Sequence, residues 1–322
     1  MNSLCQKFFT VVILIMTSFI TPAQEKNYYV AITAIVEHPA LDNVRKGVID
    51  RLTEQGYIDG KNLKLQFQSA QGSSANAAQI AKQFVSSRPD VIVAIATPSA
   101  QALAASTKTI PIVFTAVTDP IAAKLSRSWQ ATGTNITGVS DALSLEKQVD
   151  LMLTIKPDLK TVGSVYSPSE INSTQTLRQL EPILQAKGIK LISMAAQRTS
   201  DIPAAARNLK GKTDLIYTTT DNNVVSAYEA IAKVANESKI PLVASNPDAA
   251  TRGAAIAFGM SYYDLGRQAA DIVIRILNGE KAGDIAPQIG NVSELIINKT
   301  AANRQGLVLS EKIFNSAQQI IE

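Results

Sequence analysis

The sequence contains very few of the residues that thiol chemistry and metal sites need. Its 322 residues include one cysteine, Cys5, and one histidine, His38. A single cysteine cannot form an internal disulfide, so a fold of this size must be held together by its hydrophobic core. Chemistry through cysteine is excluded, and a catalytic triad has only one histidine to draw on. We therefore expect no catalytic residues, no metal site and no cofactor.

Aromatic residues and clusters of basic residues are also scarce. Phe, Trp and Tyr make up 5% of the chain, and the formal net charge of +4 is spread without a run of Lys or Arg. Grooves that bind nucleic acid need clustered basic residues, and platforms that bind single strands need aromatic rings. The composition predicts that the protein does not bind nucleic acid, although its pI is near 9.0.

One apolar run near the N-terminus, residues 8–20, has the features of a secretory signal. It follows the cation Lys7 and precedes Thr21-Pro22-Ala23, small residues suited to signal-peptidase cleavage. A membrane anchor is the alternative, but the run is shorter than the roughly 20 apolar residues of a spanning helix. Cys5 precedes the run, whereas a lipid-attachment cysteine would follow it. We expect residues 1–23 to be a signal peptide that is cleaved near Ala23, leaving an exported protein without lipid.

Apolar runs typical of β-strands alternate with helical patterns from Tyr28 onward. In the first half the predicted strands are 28–36, 63–68, 91–96 and 112–117, and the predicted helices are 41–55, 75–87 and 100–106. The second half restarts after Asp141 with a helix that ends at Leu153, then strands 161–166, 190–195, 215–219 and 242–245, and helices 173–187, 202–208 and 224–238. Such alternation predicts an α/β fold whose parallel sheets are covered by helices on both faces.

The two halves also resemble each other. In the first half the polar turns 97–98 and 118–120 flank Ile110-Pro111, and in the second half the turns 220–221 and 246–248 flank Ile240-Pro241. Chance similarity between two α/β units is the alternative interpretation. We interpret the repeat as two lobes, each with its own sheet.

The last part of the chain is interpreted as returning to the first lobe for one helix, 262–277, before a final strand near 294–298 in the second lobe. This interpretation assigns residues 28–140 and 258–284 to lobe 1 and residues 141–257 and 285–322 to lobe 2. The three crossings between the lobes would form a hinge.

The turn Thr97-Pro98-Ser99 is the first candidate binding element. In open parallel sheets, ligands bind beyond the carboxyl ends of the strands, where the next helix presents unpaired N–H groups. Thr97 and Ser99 follow strand 91–96, and their hydroxyls together with those N–H groups suit a ligand carboxylate. An ordinary helix cap formed by Thr97 is the alternative.

Asp221 is the second candidate, because it ends the matching polar turn of the second half. A carboxylate opposite N–H donors would suit a zwitterion, with Asp221 bound to the ammonium group. The alternative is that Asp221 caps the next helix, since an acidic side chain there is favoured by the helix dipole.

Other polar residues follow other predicted strands. His38 ends the first strand, although a lone histidine is often a bystander, and Asp119 precedes Pro120 as in many ordinary turns. Ser140 is expected at the floor of the cleft, and Asn172 is a plausible helix cap. The remaining candidates for ligand binding are Thr118, Tyr166, Ser167, Thr220 and Asn222.

These segments, in this order, resemble the ABC-transporter substrate-binding family, whose members include binders of the aromatic amino acids. The similarity runs from about Tyr28 to Leu309. It is carried by Glu37-His38-Pro39-Ala40-Leu41-Asp42, Ala96-Thr97-Pro98-Ser99, Val117-Thr118-Asp119-Pro120, Asn135-Ile136-Thr137-Gly138-Val139-Ser140, Asn172-Ser173, Thr220-Asp221-Asn222 and Tyr262-Tyr263-Asp264-Leu265-Gly266-Arg267.

The resemblance implies the type I periplasmic-binding fold, in which two Rossmann-like lobes joined by three crossings close on a ligand and deliver it to a membrane permease. The expected partners are a small zwitterion such as an amino acid and an ABC permease in the inner membrane, and the protein is expected to be a monomer. Family members from cells with a single membrane are commonly lipoproteins, so the lack of a lipid-attachment cysteine implies a free periplasmic protein.

Two other classes of function stay open at the level of sequence. The sequence has no Gly-x-Ser-x-Gly, His-Glu-x-x-His, phosphate-loop lysine or Gly-x-Gly-x-x-Gly. A hydrolase that uses the carboxylates of Asp119 and Asp221 is the enzymatic alternative. A sensory module that feeds a membrane receptor uses the same fold. We favour a binding protein without enzymatic activity.

Overall fold

A computed structural model describes residues 26–322, and the predicted signal peptide at residues 1–23 lies outside them. The strands are β1 (Tyr28–Ala34), β2 (Leu63–Ser69), β3 (Val91–Ile95), β4 (Ile112–Thr115), β5 (Ile136–Ser140), β6 (Thr161–Tyr166), β7 (Lys190–Ala195), β8 (Leu215–Thr218), β9 (Leu242–Ala244), β10 (Ile256–Met260), β11 (Gln288–Ile289), β12 (Ser293–Asn298) and β13 (Gln319–Ile321). The α-helices are α1 (Pro39–Glu54), α2 (Ser74–Ser87), α3 (Thr97–Ser106), α4 (Leu145–Ile155), α5 (Ile171–Ala186), α6 (Ile202–Arg207), α7 (Asn222–Ser226), α8 (Tyr228–Ser238), α9 (Tyr262–Leu277), α10 (Lys299–Arg304) and α11 (Glu311–Ser316). Short 3-10 helices lie at Thr199–Asp201, Pro247–Arg252 and Ala282–Asp284.

The strands form two sheets, one in each lobe, as the sequence predicts. The first sheet has the order β11-β5-β4-β3-β1-β2, and the second has the order β13-β12-β10-β9-β8-β6-β7. The first five strands of each lobe therefore follow the same spatial order, which agrees with the resemblance between the two halves of the sequence.

One strand pair in the second sheet departs from the prediction of parallel sheets. β10 and β12 are antiparallel, with Phe258 opposite Leu295. β10 ends at the hinge, and the chain returns through the hinge to begin β12. The two strands must therefore run in opposite directions.

The three crossings lie together and are joined by backbone hydrogen bonds. The Gly290 N–H donates to the Ser140 carbonyl at 2.8 Å, and the Ser261 N–H donates to the Val292 carbonyl at 2.9 Å. The second and third crossings fall after Met260 and after Ile289, later than the boundaries of 257/258 and 284/285 expected from the sequence. The third boundary was misplaced because β11, which keeps residues 288–289 in the first sheet, is too short to give a strand pattern. The second was misplaced because the buried strand β10 extends to Met260.

Several local features of the second lobe were not predicted. The expected helix 224–238 is interrupted at Ala227, where the backbone leaves the helical conformation (φ −109°, ψ 31°). Alanine is the strongest helix former, so the sequence gives no signal for this break. The short elements β13, α10 and α11 of this lobe were also missed, as was β11 of the first sheet.

The second sheet is buried on both faces, which explains its nearly continuous apolar strands. Leu215 and Tyr217 of β8 belong to the cluster that includes Val149 of α4 and Leu180 of α5. Ile216, between them, belongs to the cluster on the opposite face, which includes Ile231 of α8.

The first lobe is completed by α9, which packs on α1 with very little space between the helices. A Cβ atom on Gly47 would lie 2.1 Å from the Tyr263 carbonyl oxygen, and one on Gly266 would lie 2.1 Å from the Val44 carbonyl oxygen. Glycine at these two positions is what allows the late segment of the chain to join the first lobe. Among the helices between residues 26 and 322, none has the length and apolar character to cross a membrane.

We predict that Gly266→Ala lowers the free energy of unfolding by about 1–3 kcal/mol, because the added methyl group must push α9 away from α1. Urea unfolding followed by circular dichroism measures the change. Lys46→Ala, on the exposed side of α1, is the control and should shift stability by less than about 1 kcal/mol. A Gly266→Ala protein as stable as the wild type would contradict this packing.

Candidate functional site

The carboxyl ends of the strands in the two sheets face each other, and direct hydrogen bonds join the lobes there. The hydroxyl oxygens of Thr118 and Thr220 are 2.8 Å apart. Further out, the Asn43 side-chain amide donates to the Asp248 carboxylate at 2.7 Å. The structure therefore has its lobes closed on each other.

A small cavity of about 10 Å³ lies at the centre of this interface. A space of this size holds roughly one water molecule, so a larger group enters only when the lobes stand further apart. Both lobes and the first crossing contribute to its lining, which consists of His38, Leu41, Ala96, Ala116, Asp141, Asn172, Thr220, Asn222, Val225, Asn246 and Tyr262.

Three side chains that line this cavity have a buried polar atom with no hydrogen-bond partner in the described chain: His38 Nε2, Asp141 Oδ1 and Asn172 Oδ1. Buried polar atoms in proteins almost always have partners, so exceptions that converge on one cavity indicate a ligand site. One of the three is a nitrogen and two are acceptor oxygens.

His38 supplies a hydrogen-bond donor to the cavity. Its Nδ1 accepts from the Leu41 backbone N–H at 3.4 Å, which caps α1 and leaves the proton on Nε2. Burial and the positive charge of Arg252 lower the pKa of His38 to about 4. The ring is therefore neutral at pH 7, with Nε2–H available to a carboxylate.

Asp141 supplies a carboxylate to the same cavity. It follows β5 directly, at the first crossing, and its Oδ2 accepts from the Tyr262 hydroxyl at 3.0 Å. Burial raises the pKa of the Asp141 carboxyl, and the nearby hydroxyls of Thr118 and Tyr262 oppose the increase. A ligand cation beside Oδ1 would stabilise the charged form.

The start of α3 is a second source of donors beside the cavity. The N-cap residue is Ala96, with φ 73°, rather than the expected Thr97, which is the first helical residue. Thr97 and Ser99 are buried, and within residues 26–322 their hydroxyls find no hydrogen-bond partner. Non-glycine residues with positive φ are often strained and concentrate at functional sites. The open N–H groups and the two hydroxyls are suited to an anionic group.

A larger cavity of about 340 Å³ adjoins the first one. Asp141 and Thr220 line both cavities. Its lining combines apolar and polar side chains and consists of Thr118, Asp119, Ile121, Trp129, Asp141, Ala142, Leu143, Leu145, Gln148, Gln175, Thr176, Gln179, Tyr217, Thr220 and Ser245.

Asp221 has a structural position rather than the ligand-facing one expected from the sequence. Its carboxylate accepts from the Ser167 N–H at 2.6 Å, the Ser167 hydroxyl at 2.9 Å and the Val224 N–H at 3.0 Å. It is 0% exposed, and it is not among the described residues that line either cavity. It caps α7 and fixes the loop after β6, which was the alternative interpretation.

The other candidates from the sequence divide into three groups. Those that line a cavity are His38, Thr118, Asp119, Asn172, Thr220 and Asn222, and those beside Ala96 at the start of α3 are Thr97 and Ser99. Ser140, Tyr166 and Ser167 are absent from the described linings. Ser140 instead donates to the Thr118 carbonyl at 3.0 Å, and Asn172 lies inside α5, whose cap position is Glu170.

The sequence interpretation missed Asp141, Tyr262 and Gln148. Asp141 could have been found by the rule used for the other residues, because it follows the carboxyl end of β5. Tyr262 and Gln148 lie in the first turns of helices that follow crossings, where the sequence gives no such signal. Within residues 26–322, no cluster of three or more His, Cys, Asp or Glu side chains is arranged to hold a metal ion.

Residues 29–321 match the sequence profile of the ABC transporter substrate binding protein family. The chain belongs to this family. The tyrosine-binding protein of Clostridioides difficile (strain R20291) is 40% identical over 275 residues, which are 85% of this chain and 80% of that protein.

Two solved structures of related sequence superpose on this chain to different extents. The ABC domain from Streptococcus pneumonia in complex with L-Trp is 31% identical, with a TM-score of 0.88 over 92% of this chain and 100% of that one. The ligand-free, open form of a substrate-binding protein with adhesive properties from Clostridium difficile is 34% identical, with a TM-score of 0.70 over 91% of this chain and 99% of that one. Because the identities are similar, the lower score of the open form agrees with closed lobes in this protein.

Family membership confirms the solute-binding function, the α/β two-lobed fold and the lack of enzymatic activity predicted from the sequence. It associates the protein with an ABC transporter and is consistent with a location outside the cytoplasm. The alternative of a hydrolase that uses Asp119 and Asp221 is wrong, because the family consists of solute-binding proteins.

Glu170 is a buried carboxyl next to the capping residue Asp221. Its Oε2 accepts from the Asn222 N–H at 3.0 Å, the Asn222 side-chain amide at 2.7 Å and the Asn172 side-chain amide at 3.0 Å. Burial, followed by the negative charge of Asp221, raises the pKa of Glu170 to about 7. The folded protein therefore binds a proton here that the unfolded chain releases at lower pH.

We predict that Glu170→Gln stabilises the ligand-free protein at pH 8 and has little effect at pH 5. A raised carboxyl pKa costs stability as pH rises between about 4.5 and 7, and the amide removes a penalty of roughly 1–3 kcal/mol above that window. Melting temperature as a function of pH measures the difference. Glu181→Gln, at an exposed position of α5, is the control. If the melting temperatures of Glu170→Gln and wild type depend on pH in the same way, the raised pKa of Glu170 is contradicted.

Proposed function

We propose that this protein captures an aromatic amino acid between its lobes and delivers it to an ABC permease. The observation that carries the proposal is the arrangement of the central cavity, where a neutral histidine donor and a buried carboxylate face the same space. A cavity with walls suited to an aromatic side chain opens beside them.

The amino-acid head group has complementary partners in the central cavity. Asp141 Oδ1 and Asn172 Oδ1 are acceptors for the ammonium group, and His38 Nε2–H is a donor for the carboxylate. The start of α3, with Thr97 and Ser99, is a further site for negative charge. Each of these atoms would gain in the complex a partner that residues 26–322 do not supply.

The ligand side chain would extend from Asp141 into the larger cavity. Trp129, Leu143 and Leu145 supply aromatic and aliphatic surface, and about 340 Å³ lies in the range of small-molecule sites. The names of the relatives support the same class of ligand, since one is a tyrosine-binding protein and another was solved with L-Trp.

The cellular setting follows from the sequence. We propose that residues 1–23 are removed on export and that the mature protein is an unlipidated monomer in the periplasm. Its partner would be an ABC permease in the inner membrane.

We predict that Asp141→Asn weakens binding of L-tyrosine or L-tryptophan by roughly 30-fold or more. Removing one charge of a buried pair leaves the other without a partner, and such losses cost on the order of 2–5 kcal/mol. Isothermal titration calorimetry measures the affinity. Asp150→Asn, an exposed carboxylate on α4, is the control and should bind like the wild type.

The same variants should be titrated with 3-(4-hydroxyphenyl)propanoate, which is tyrosine without its ammonium group. Asp141→Asn should bind this analogue at least as tightly as the wild type, because without the ammonium group the wild type leaves the buried Asp141 carboxylate without a partner. Equal affinities of wild type and Asp141→Asn for the amino acids would refute the assignment of Asp141.

We predict that the mature protein, purified from the periplasmic fraction of a native or a two-membrane host, begins near Gln24. N-terminal sequencing and intact mass spectrometry identify the first residue and any acyl chain. Soluble protein that retains Met1, or protein labelled by a fatty acid, would contradict export with cleavage near Ala23.

A further inference from the structure

Gln148 is a buried polar residue at the floor of the larger cavity that the head-group recognition does not use. It lies in the first turn of α4, is 0% exposed and lines the cavity together with Tyr217 and Ser245. A glutamine in this position is unusual, because its amide has four hydrogen-bonding sites to satisfy.

The orientation of the Gln148 amide is fixed by a backbone carbonyl. Its Nε2 donates to the Phe258 carbonyl oxygen of β10 at 2.8 Å. A carbonyl oxygen can only accept, so the amide nitrogen must face β10 and the amide oxygen must face away. That oxygen, Oε1, is buried and has no hydrogen-bond partner anywhere in residues 26–322.

The neighbouring polar groups are already engaged. The Ser245 hydroxyl donates to the Thr218 carbonyl at 3.1 Å, and the Thr176 hydroxyl donates to the Asn172 carbonyl at 2.7 Å. Tyr217 is fully buried with its hydroxyl beside Ser245. Among these buried side chains, Gln148 has an acceptor, Oε1, without a hydrogen-bond partner within residues 26–322.

We propose that Gln148 is a specificity-determining residue, which selects aromatic amino acids whose ring carries a hydrogen-bond donor. The phenol O–H of tyrosine and the indole N–H of tryptophan have such a donor, and the phenyl ring of phenylalanine does not. This proposal rests on the proposed function, since it requires the ligand head group at Asp141 and the ring in the larger cavity.

The selection has a direct physical cause. When the ring brings a donor, Gln148 Oε1 gains its missing partner; when a phenyl ring fills the same space, the oxygen is left buried without water or protein. Sites built to bond a polar group reject the analogue that lacks it much more strongly than apolar pockets reject a change of size.

The first test uses the wild-type protein and calorimetry with four ligands: tyrosine, phenylalanine, tryptophan and 3-benzothienylalanine, in which sulfur replaces the indole N–H of tryptophan. We expect the better of tyrosine and tryptophan to bind at least about tenfold more tightly than its partner without the donor. Equal affinities within each pair would overturn the role of Gln148. Failure of all four to bind would instead refute the proposed function.

The second test compares Gln148→Met with Gln185→Met. Methionine keeps the length of glutamine and removes both polar atoms, and Gln185 is exposed on α5 and is not among the described residues that line either cavity. In Gln148→Met the preference for the donor-bearing ligand should fall to about threefold or less, while Gln185→Met should keep it. A Gln148→Met protein that weakens all four ligands by the same factor would overturn the proposal. If this variant does not fold, as judged by its melting transition, the wild-type ligand pairs decide the question.

Discussion

The buried carboxylate of Asp141 is the group on which the arrangement of the cleft depends. It stands at the end of β5, where the chain first passes between the lobes, and it lines both cavities. One oxygen is held by Tyr262 from α9, and the other has no partner in the described residues. Burying a carboxylate is costly unless its charge is balanced. A ligand that brought a positive charge to this point would therefore stabilise the charged form of Asp141.

Much of the fold could be predicted from the sequence, because it depends on patterns that local physics imposes. Buried strands such as β3 and β8 appear as short apolar runs, and α2 begins at a serine cap, as many helices do. The late helix α9 packs on α1 of the first lobe. The second and third crossings were placed too early, because β10 extends to Met260 and the two-residue strand β11 has no sequence pattern of its own.

The location of the site at the carboxyl ends of the strands was predicted from the sequence, but the carboxylate that lines the cavity was not identified. Asp141 and Asp221 both follow the carboxyl end of a strand, so the sequence alone treats them alike. The structure separates them, because Asp221 has a following helix to cap and a loop N–H at Ser167 to bind, whereas α4 begins further along the chain with Ser144 as its own cap. Gln148 was missed because a buried amide is identified only by what surrounds it, and its partner Phe258 is distant in sequence.

The hydrogen bond between Asn43 and Asp248 joins the lobes at residues that line neither of the two cleft cavities. It contributes to the stability of the closed form whatever the cleft contains. The measured association constant of such a protein is the intrinsic association constant multiplied by the fraction of molecules in the binding-competent conformation. Substitutions at this pair can therefore raise or lower the affinity for every ligand by one common factor. The affinity can then change during evolution, as the ligand becomes scarce or abundant, while the ligand specificity stays the same.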